Sequence, residues 1–132
     1  MKKISLALLP AILFFFLSYY LLTIPGKELP EVSFFDKIPL FDKWVHIGMF
    51  SILVYLFSLA FKQQIITNKR LLPLLAATGL VYGIAMEYVQ KYYVANRSFD
   101  LTDIIADGVG CVIGALLIHW QIKRSRAKQE SI

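Results

Sequence analysis

Four long apolar segments dominate the pattern of hydrophobic and polar positions along the chain. They cover residues 4–24, 44–61, 71–90 and 101 to about 120. A helix rises about 1.5 Å per residue, so each segment can cross roughly 30 Å of hydrocarbon. Helices of soluble bundles carry an apolar stripe and a charged back, and these segments have no charged back. The pattern predicts an all-α fold, a polytopic membrane bundle of four transmembrane helices.

Composition supports this prediction and argues against a soluble enzyme. The 132 residues are 58% hydrophobic and only 17% charged, whereas soluble domains are nearer one quarter charged. We expect a single domain, 1–132. The first segment follows Met-Lys-Lys, as a signal peptide would, but it is too long and "TIPGKELP" offers no cleavage site, so we expect an uncleaved span. Cys111 is the sole cysteine, which excludes an intrachain disulfide and suggests a small buried residue.

Charged residues are divided unevenly between the two ends of the predicted spans. One side carries nine basic residues and one acid, and the other carries five basic residues and eight acids. Because basic residues accumulate on cytoplasmic loops, both termini are predicted to be cytoplasmic. The basic tail, 121–132, is then a topology signal and a contact for anionic lipids, and no nucleic-acid partner is expected. Trp44 near one end and Trp120 near the other are predicted interface anchors.

The unusual polar residues fall at the outer ends of the last three spans. In "DKWVH", Asp42 and His46 share a helix face and flank Lys43. Two longer stripes follow, one of Gly79, Gly83, Glu87 and Gln90, the other of Asp100, Asp103, Asp107, Gly110 and Gly114. Small residues four apart let membrane helices approach closely. We therefore expect three helices to meet along glycine-lined faces, with the polar side chains inside the bundle.

Carboxylates inside a membrane are costly and need partners. Arg97 can pair with Asp100 or Glu87, and Asp100 can cap the fourth helix, so these residues have a structural interpretation. Glu87, Asp103 and Asp107 together favour a function, because neutral groups would build a structural network at lower cost.

No strong catalytic or metal-binding motif accompanies these acids. His46 suits proton handling or metal ligation, whereas His119 lies at the opposite end. One histidine with several carboxylates fits magnesium, manganese or calcium better than zinc, but the spacing requires no ion or other cofactor. The chain has no phosphate-binding glycine loop, Ser-His-Asp pattern or nucleophilic cysteine.

Three motifs in this order resemble the VanZ-like family of small bacterial membrane proteins. They are "DKWVHIGMF", "EYVQ" and "RSFDLTDIIADGVGCVIG", and they place the resemblance at about residues 41–117. Each motif is weak alone, whereas the ordered combination is fairly specific. Members often carry Asn at the position of Asp107, so the resemblance implies an additional acid in this chain.

The resemblance implies a multi-pass protein of the bacterial inner (cytoplasmic) membrane. The family's namesake is associated with resistance to the glycopeptide teicoplanin. Only this resemblance, and no residue pattern in the chain, suggests a relation to glycopeptide tolerance. A role in the cell envelope, where lipid-linked wall precursors are exposed, is what the resemblance suggests.

Our leading hypothesis is an outward-facing polar pocket that binds a charged lipid head group or a cell-wall precursor. The candidate ligand-binding residues are Asp42, Lys43, His46, Glu87, Gln90, Arg97, Asp100, Asp103 and Asp107. One alternative is a metal-assisted enzyme acting on a lipid phosphate, and another is proton-coupled transport of a small solute. A homo-oligomer or a structural role in a larger envelope complex also stays open.

Overall fold

The computed structural model describes residues 2–25, 40–95 and 97–131, nearly all of them helical. In chain order the helices are α1 (Lys2–Thr23), α2 (Phe41–Ala60), α3 (Lys62–Thr67), α4 (Leu71–Tyr93) and α5 (Leu101–Glu130). No strand occurs among the described residues. The four long helices, α1, α2, α4 and α5, are each long and apolar enough to span a membrane. The predicted all-α bundle of four membrane helices is confirmed.

The structure has more helix than the sequence predicted, in two places. The helix α5 has 30 residues, about 45 Å, so it continues through most of the basic tail. The loop "KQQIITNKR" contains α3, because Ile65 is buried against Ile118 and Ile122 and gives the loop an apolar side. Residues 26–39, which carry two of the basic residues and three of the acids counted on the outer side, lie outside the described residues.

The most extensive helix contact joins α2 and α5. A Cβ atom added at Gly110 would lie 2.5 Å from the carbonyl oxygen of Ile47, and one at Gly114 would lie 2.5 Å from that of Ser51. The two backbones can approach this closely only because neither glycine has a side chain. This contact fixes which residues of α5 face the start of α2.

The helix α4 packs on the neighbouring side of α5 through the other pair of glycines. A Cβ atom at Gly79 would lie 2.9 Å from the sulfur of Cys111, which is buried as expected. One at Gly83 would lie 2.6 Å from a carboxylate oxygen of Asp107. The absence of a side chain at Gly83 therefore makes room for a buried acid between the two helices.

The distribution of apolar side chains is that of a membrane protein. The core contains Phe50 and Ile118, both with no exposed surface. Large apolar side chains also face outward along the helices, among them Phe16 (63% exposed), Val81 (65%) and Leu116 (60%). Contiguous apolar surface of this kind is rare on soluble monomers and is what lipid chains cover.

Candidate functional site

Polar side chains from three helices meet at one end of the bundle. We call this set the acid-rich cluster: Asp42, Lys43 and His46 of α2, Glu87 of α4, and Asp100, Asp103 and Asp107 at the start of α5. The close α2–α5 contact brings the first turns of these two helices side by side. The sequence pattern predicted this convergence, and the geometry shows how the charges are paired.

Lys43 is the centre of the outer part of the acid-rich cluster. Its ammonium nitrogen lies 2.5 Å from Asp42 Oδ2, 2.8 Å from Asp100 Oδ2 and 2.6 Å from Asp103 Oδ1. An ammonium group has three N–H donors, so three carboxylates use all of them. The side chain is only 15% exposed. Lys43 therefore holds α2 against α5, and a phosphate could reach it only by displacing an aspartate.

Asp100 caps α5, as its sequence position suggested. Its Oδ1 accepts hydrogen bonds from the backbone N–H of Thr102 at 2.9 Å and from the Thr102 hydroxyl at 2.6 Å. Carboxylates at a helix N-terminus satisfy N–H groups that have no partner within the helix. The hydrogen bond from Lys43, together with those from Thr102, lowers the pKa of Asp100 to about 2. Asp100 is therefore ionised throughout the physiological pH range.

His46 and Asp107 form a buried pair one turn deeper in the bundle. His46 Nδ1 lies 2.8 Å from Asp107 Oδ1, and the two residues are 7% and 1% exposed. The other ring nitrogen, Nε2, lies 3.8 Å from Asp103 Oδ2. The imidazole therefore stands between a deep and a shallow carboxylate. A donor Nδ1–H to an ionised Asp107 would offset part of the cost of burying that carboxylate.

Glu87 connects α4 to the cap of α5. Its Oε2 accepts a hydrogen bond from the backbone N–H of Asp100 at 3.0 Å, and the residue is only 1% exposed. The sequence suggested that Arg97 pairs with Glu87 or Asp100, but its hydrogen bonds go to backbone carbonyls of another helix end. Neither of those ion pairs forms among the residues that the structure describes.

Arg97 and Gln90 instead bind the end of α1. The Arg97 guanidinium donates to the carbonyl oxygens of Ile24 at 3.1 Å and Leu21 at 3.2 Å, and the Gln90 amide donates to that of Leu22 at 2.9 Å. The last carbonyls of a helix lack partners within it, so these side chains replace water there. Burial lowers the pKa of Arg97 below its usual value, and the nearby charges of Asp103 and Glu87 offset only part of this effect. Both residues thus attach the first span to the rest of the bundle.

Two groups of side chains in the acid-rich cluster have the spacing of a metal site. The ligand atoms of His46, Glu87 and Asp107 lie within 4.8 Å of one another, as do those of a second group, Asp42, Asp100 and Asp103. In the second group the ammonium of Lys43 already occupies the position of a cation. The first group, with one nitrogen and two carboxylates, is the better fit for magnesium or manganese.

A polar contact between α1 and α4 was not predicted from the sequence. The hydroxyl of Ser18 in α1 lies 2.9 Å from that of Tyr82 in α4, and Ser18 is completely buried. A serine within an uninterrupted apolar span was the available signal, since interhelical hydrogen bonds in membranes use such residues. His119 lies at the opposite end of α5 from the acid-rich cluster, as predicted.

The acid-rich cluster has an excess of negative charge. It contains five carboxylates and one lysine, and Arg97 stands beside it with its Nε and Nη2 groups donating to the end of α1. The side chains of Asp42 and Asp100 are 65% and 40% exposed, so the outer part of the cluster is accessible. Such an arrangement attracts a positively charged group, because the carboxylates outnumber the lysine and the donors of Lys43 are already used.

Comparison with known proteins agrees with the resemblance read from the three motifs. The chain is 32% identical over 92 residues to the "Uncharacterized protein C11E3.10" of Schizosaccharomyces pombe. The similar region is 69% of this chain but only 54% of the yeast protein, so the chain spans about half the length of that relative. No solved structure shows a significant match. The sequence profile of the VanZ/LLP1 family matches residues 4–123, nearly the whole chain, and the chain therefore belongs to the VanZ/LLP1 family.

Proposed function

We propose that this chain is a protein of the bacterial cytoplasmic membrane that binds the charged head group of an envelope lipid or a lipid-linked cell-wall precursor. In this proposal the acid-rich cluster faces outward and both termini are cytoplasmic. The excess of basic residues at the opposite end of the helices supports this orientation. The association of the family's namesake with teicoplanin resistance is compatible with a ligand among the wall precursors.

The observation that carries the proposal is the charge balance of the acid-rich cluster. The donors of Lys43 are used by three carboxylates, and Arg97 binds the end of α1. The cluster therefore offers acceptors, with Asp42 and Asp100 exposed to an incoming molecule. The part of the ligand that contacts them is positive: an ammonium group of the head group, or a divalent cation bound to its phosphate.

Neutralising Asp42, the more exposed of these two acids, is expected to weaken this binding about tenfold, the effect of losing one charge-assisted hydrogen bond. The measurement is native mass spectrometry of the purified chain with phosphatidylethanolamine, and with phosphatidylglycerol in the presence and absence of Mg²⁺. Asp42→Asn is compared with Glu130→Gln, which removes an exposed acid at the opposite end of the bundle.

Melting midpoints in detergent show whether the two variants remain folded. We expect Mg²⁺ to increase phosphatidylglycerol binding more in the wild type than in Asp42→Asn, and phosphatidylethanolamine to bind the wild type without Mg²⁺. Equal binding by Asp42→Asn and Glu130→Gln, with both variants folded, would contradict the proposal.

A second candidate function is metal-assisted cleavage or transfer of a lipid phosphate. It is favoured by the convergence of His46, Glu87 and Asp107, which come from three different helices and are all buried. A divalent ion held by these residues would supply Lewis-acid chemistry toward a phosphoryl oxygen. The buried position of the group would keep the ion away from bulk water.

If this second function is correct, His46→Ala will abolish Mn²⁺- or Mg²⁺-dependent release of phosphate from a lipid phosphate such as phosphatidic acid. The matched control is His119→Ala, which removes the chain's other histidine, twelve residues after Asp107 on α5 and therefore about 18 Å away along the axis. Turnover that survives His46→Ala, or that both variants lose equally, would exclude a reaction centred on His46.

A further inference from the structure

A second region of interest lies at the opposite end of the bundle, in a cavity between α3, the start of α4 and the last turns of α5. Its volume is about 390 Å³, within the range of roughly 300–1,000 Å³ that small-molecule sites occupy. The side chains of Ile65, Leu72 and Ile122 form an apolar floor. Those of Lys69, Lys123 and Arg126 form its exposed rim.

This cavity is independent of the acid-rich cluster. Lys123 follows Asp107 by sixteen residues on the same helix, a separation of about 24 Å along the axis. No aspartate or glutamate lines the cavity. Within the described part of the chain, the side chains of Lys69, Lys123 and Arg126 form no ion pair or hydrogen bond. Three cations that have no partner among the described residues thus surround an apolar floor.

The position of the cavity along α5 indicates which molecule it would meet. Trp120 is 58% exposed and lies one turn from Lys123, with the Arg124 guanidinium 5.2 Å from the centre of its ring. Exposed tryptophans of membrane helices settle at the level of the lipid head groups. An apolar floor at this depth faces the first carbons of an acyl chain, while a basic rim faces the phosphates.

We propose that this cavity is a binding site for an anionic phospholipid, with its phosphate among Lys69, Lys123 and Arg126 and the start of one acyl chain on Ile65, Leu72 and Ile122. Charge complementarity selects the anionic lipid, since basic pockets between membrane helices recognise acidic head groups. The apolar floor selects a lipid over a soluble phosphate. The proposal does not depend on the function assigned to the acid-rich cluster.

The test is native mass spectrometry of the full chain in mild detergent, titrated with phosphatidylglycerol and with phosphatidylcholine of the same acyl chains. The cavity variant is Lys69→Gln/Lys123→Gln/Arg126→Gln. The control, Lys62→Gln/Arg124→Gln/Lys128→Gln, removes the same number of charges from the same end of the bundle but from outside the lining. The cavity variant is expected to bind phosphatidylglycerol about tenfold to a hundredfold more weakly, while the control stays within about twofold of the wild type.

Leu72→Trp tests the floor without changing any charge. It is expected to reduce phosphatidylglycerol binding and to leave the melting midpoint of the lipid-free protein nearly unchanged, because Leu72 is only partly buried. Equal losses in both triple variants would mean diffuse surface attraction and would overturn the site. Glycerol phosphate binding as tightly as the lipid, or a dimer that covers the cavity and excludes lipid, would overturn it as well.

Discussion

Gly110→Ala is expected to prevent the chain from forming its native bundle. The added methyl group would lie 2.5 Å from the carbonyl oxygen of Ile47 and 3.0 Å from the Cβ atom of Phe50. The first is a backbone atom and the second is bonded directly to the backbone, so neither can rotate out of the way. The helix α5 must therefore move away from α2. Overpacking typically lowers the free energy of unfolding by about 1–3 kcal/mol. A clash with backbone atoms is expected to cost at least the upper value of that range. Gly114→Ala, which meets the carbonyl oxygen of Ser51 at 2.5 Å, should behave in the same way.

The same helix offers a matched control for this prediction. At Gly108 the nearest atom to an added Cβ is Leu80 Cδ1 at 3.5 Å, an ordinary van der Waals contact. Gly108→Ala should be neutral or slightly stabilising, since alanine is favoured over glycine inside a helix by roughly 0.5–1 kcal/mol. The measurement is the yield of monodisperse protein and its melting midpoint in mild detergent. A Gly110→Ala variant as stable as Gly108→Ala would show that α2 and α5 lie farther apart than the 2.5 Å distance to Ile47 requires.

The separation that Gly110→Ala causes would also affect the acid-rich cluster. The α2–α5 contact aligns Lys43 and His46 with the acids of α5. Residue periodicity predicted which faces of the helices carry polar groups, because positions three and four apart share a face whatever the helix packs against. It could not predict the register between two helices. That register decides that Lys43 meets Asp100 and Asp103 rather than a ligand.

The role of Arg97 shows a second limit of sequence reasoning. An arginine near several acids suggested an ion pair, yet it binds the carbonyl oxygens of Ile24 and Leu21. Every helix ends in backbone carbonyl groups without partners, whatever its residues are. The sequence therefore does not indicate which carbonyl an arginine will bind. Only the position of α1 beside α4 places them within reach. The four spans, by contrast, were predictable from the sequence. A run of about 20 apolar residues indicates by itself that a helix is surrounded by lipid.

The convergence of acids on one lysine leads to the other large effect we expect. Lys43→Met keeps much of the length of the side chain but removes its charge, and three carboxylates whose oxygens lie within 4.8 Å of one another then lose their shared cation. At an effective dielectric constant near 20, two unit charges at this distance repel by roughly 3–4 kcal/mol. Solvent screens Asp42 and Asp100, which are partly exposed, so a net loss of about 2–3 kcal/mol of stability is expected.

Two further variants separate this electrostatic effect from a general loss of packing. Lys91→Met removes an exposed lysine near the acid-rich end, where its ammonium lies 5.1 Å from the centre of the Tyr92 ring, and should change stability by less than about 0.5 kcal/mol. The double variant Lys43→Met/Asp103→Asn removes the least exposed of the three charges and should recover part of the loss. Unfolding of each variant by SDS in mixed micelles measures the differences. If Lys43→Met unfolds like Lys91→Met, or if Asp103→Asn brings no recovery, the lysine does not hold the acids together. If the recovery is seen, α2 and α5 are joined at this end by charge, as they are joined below it by the glycine contacts.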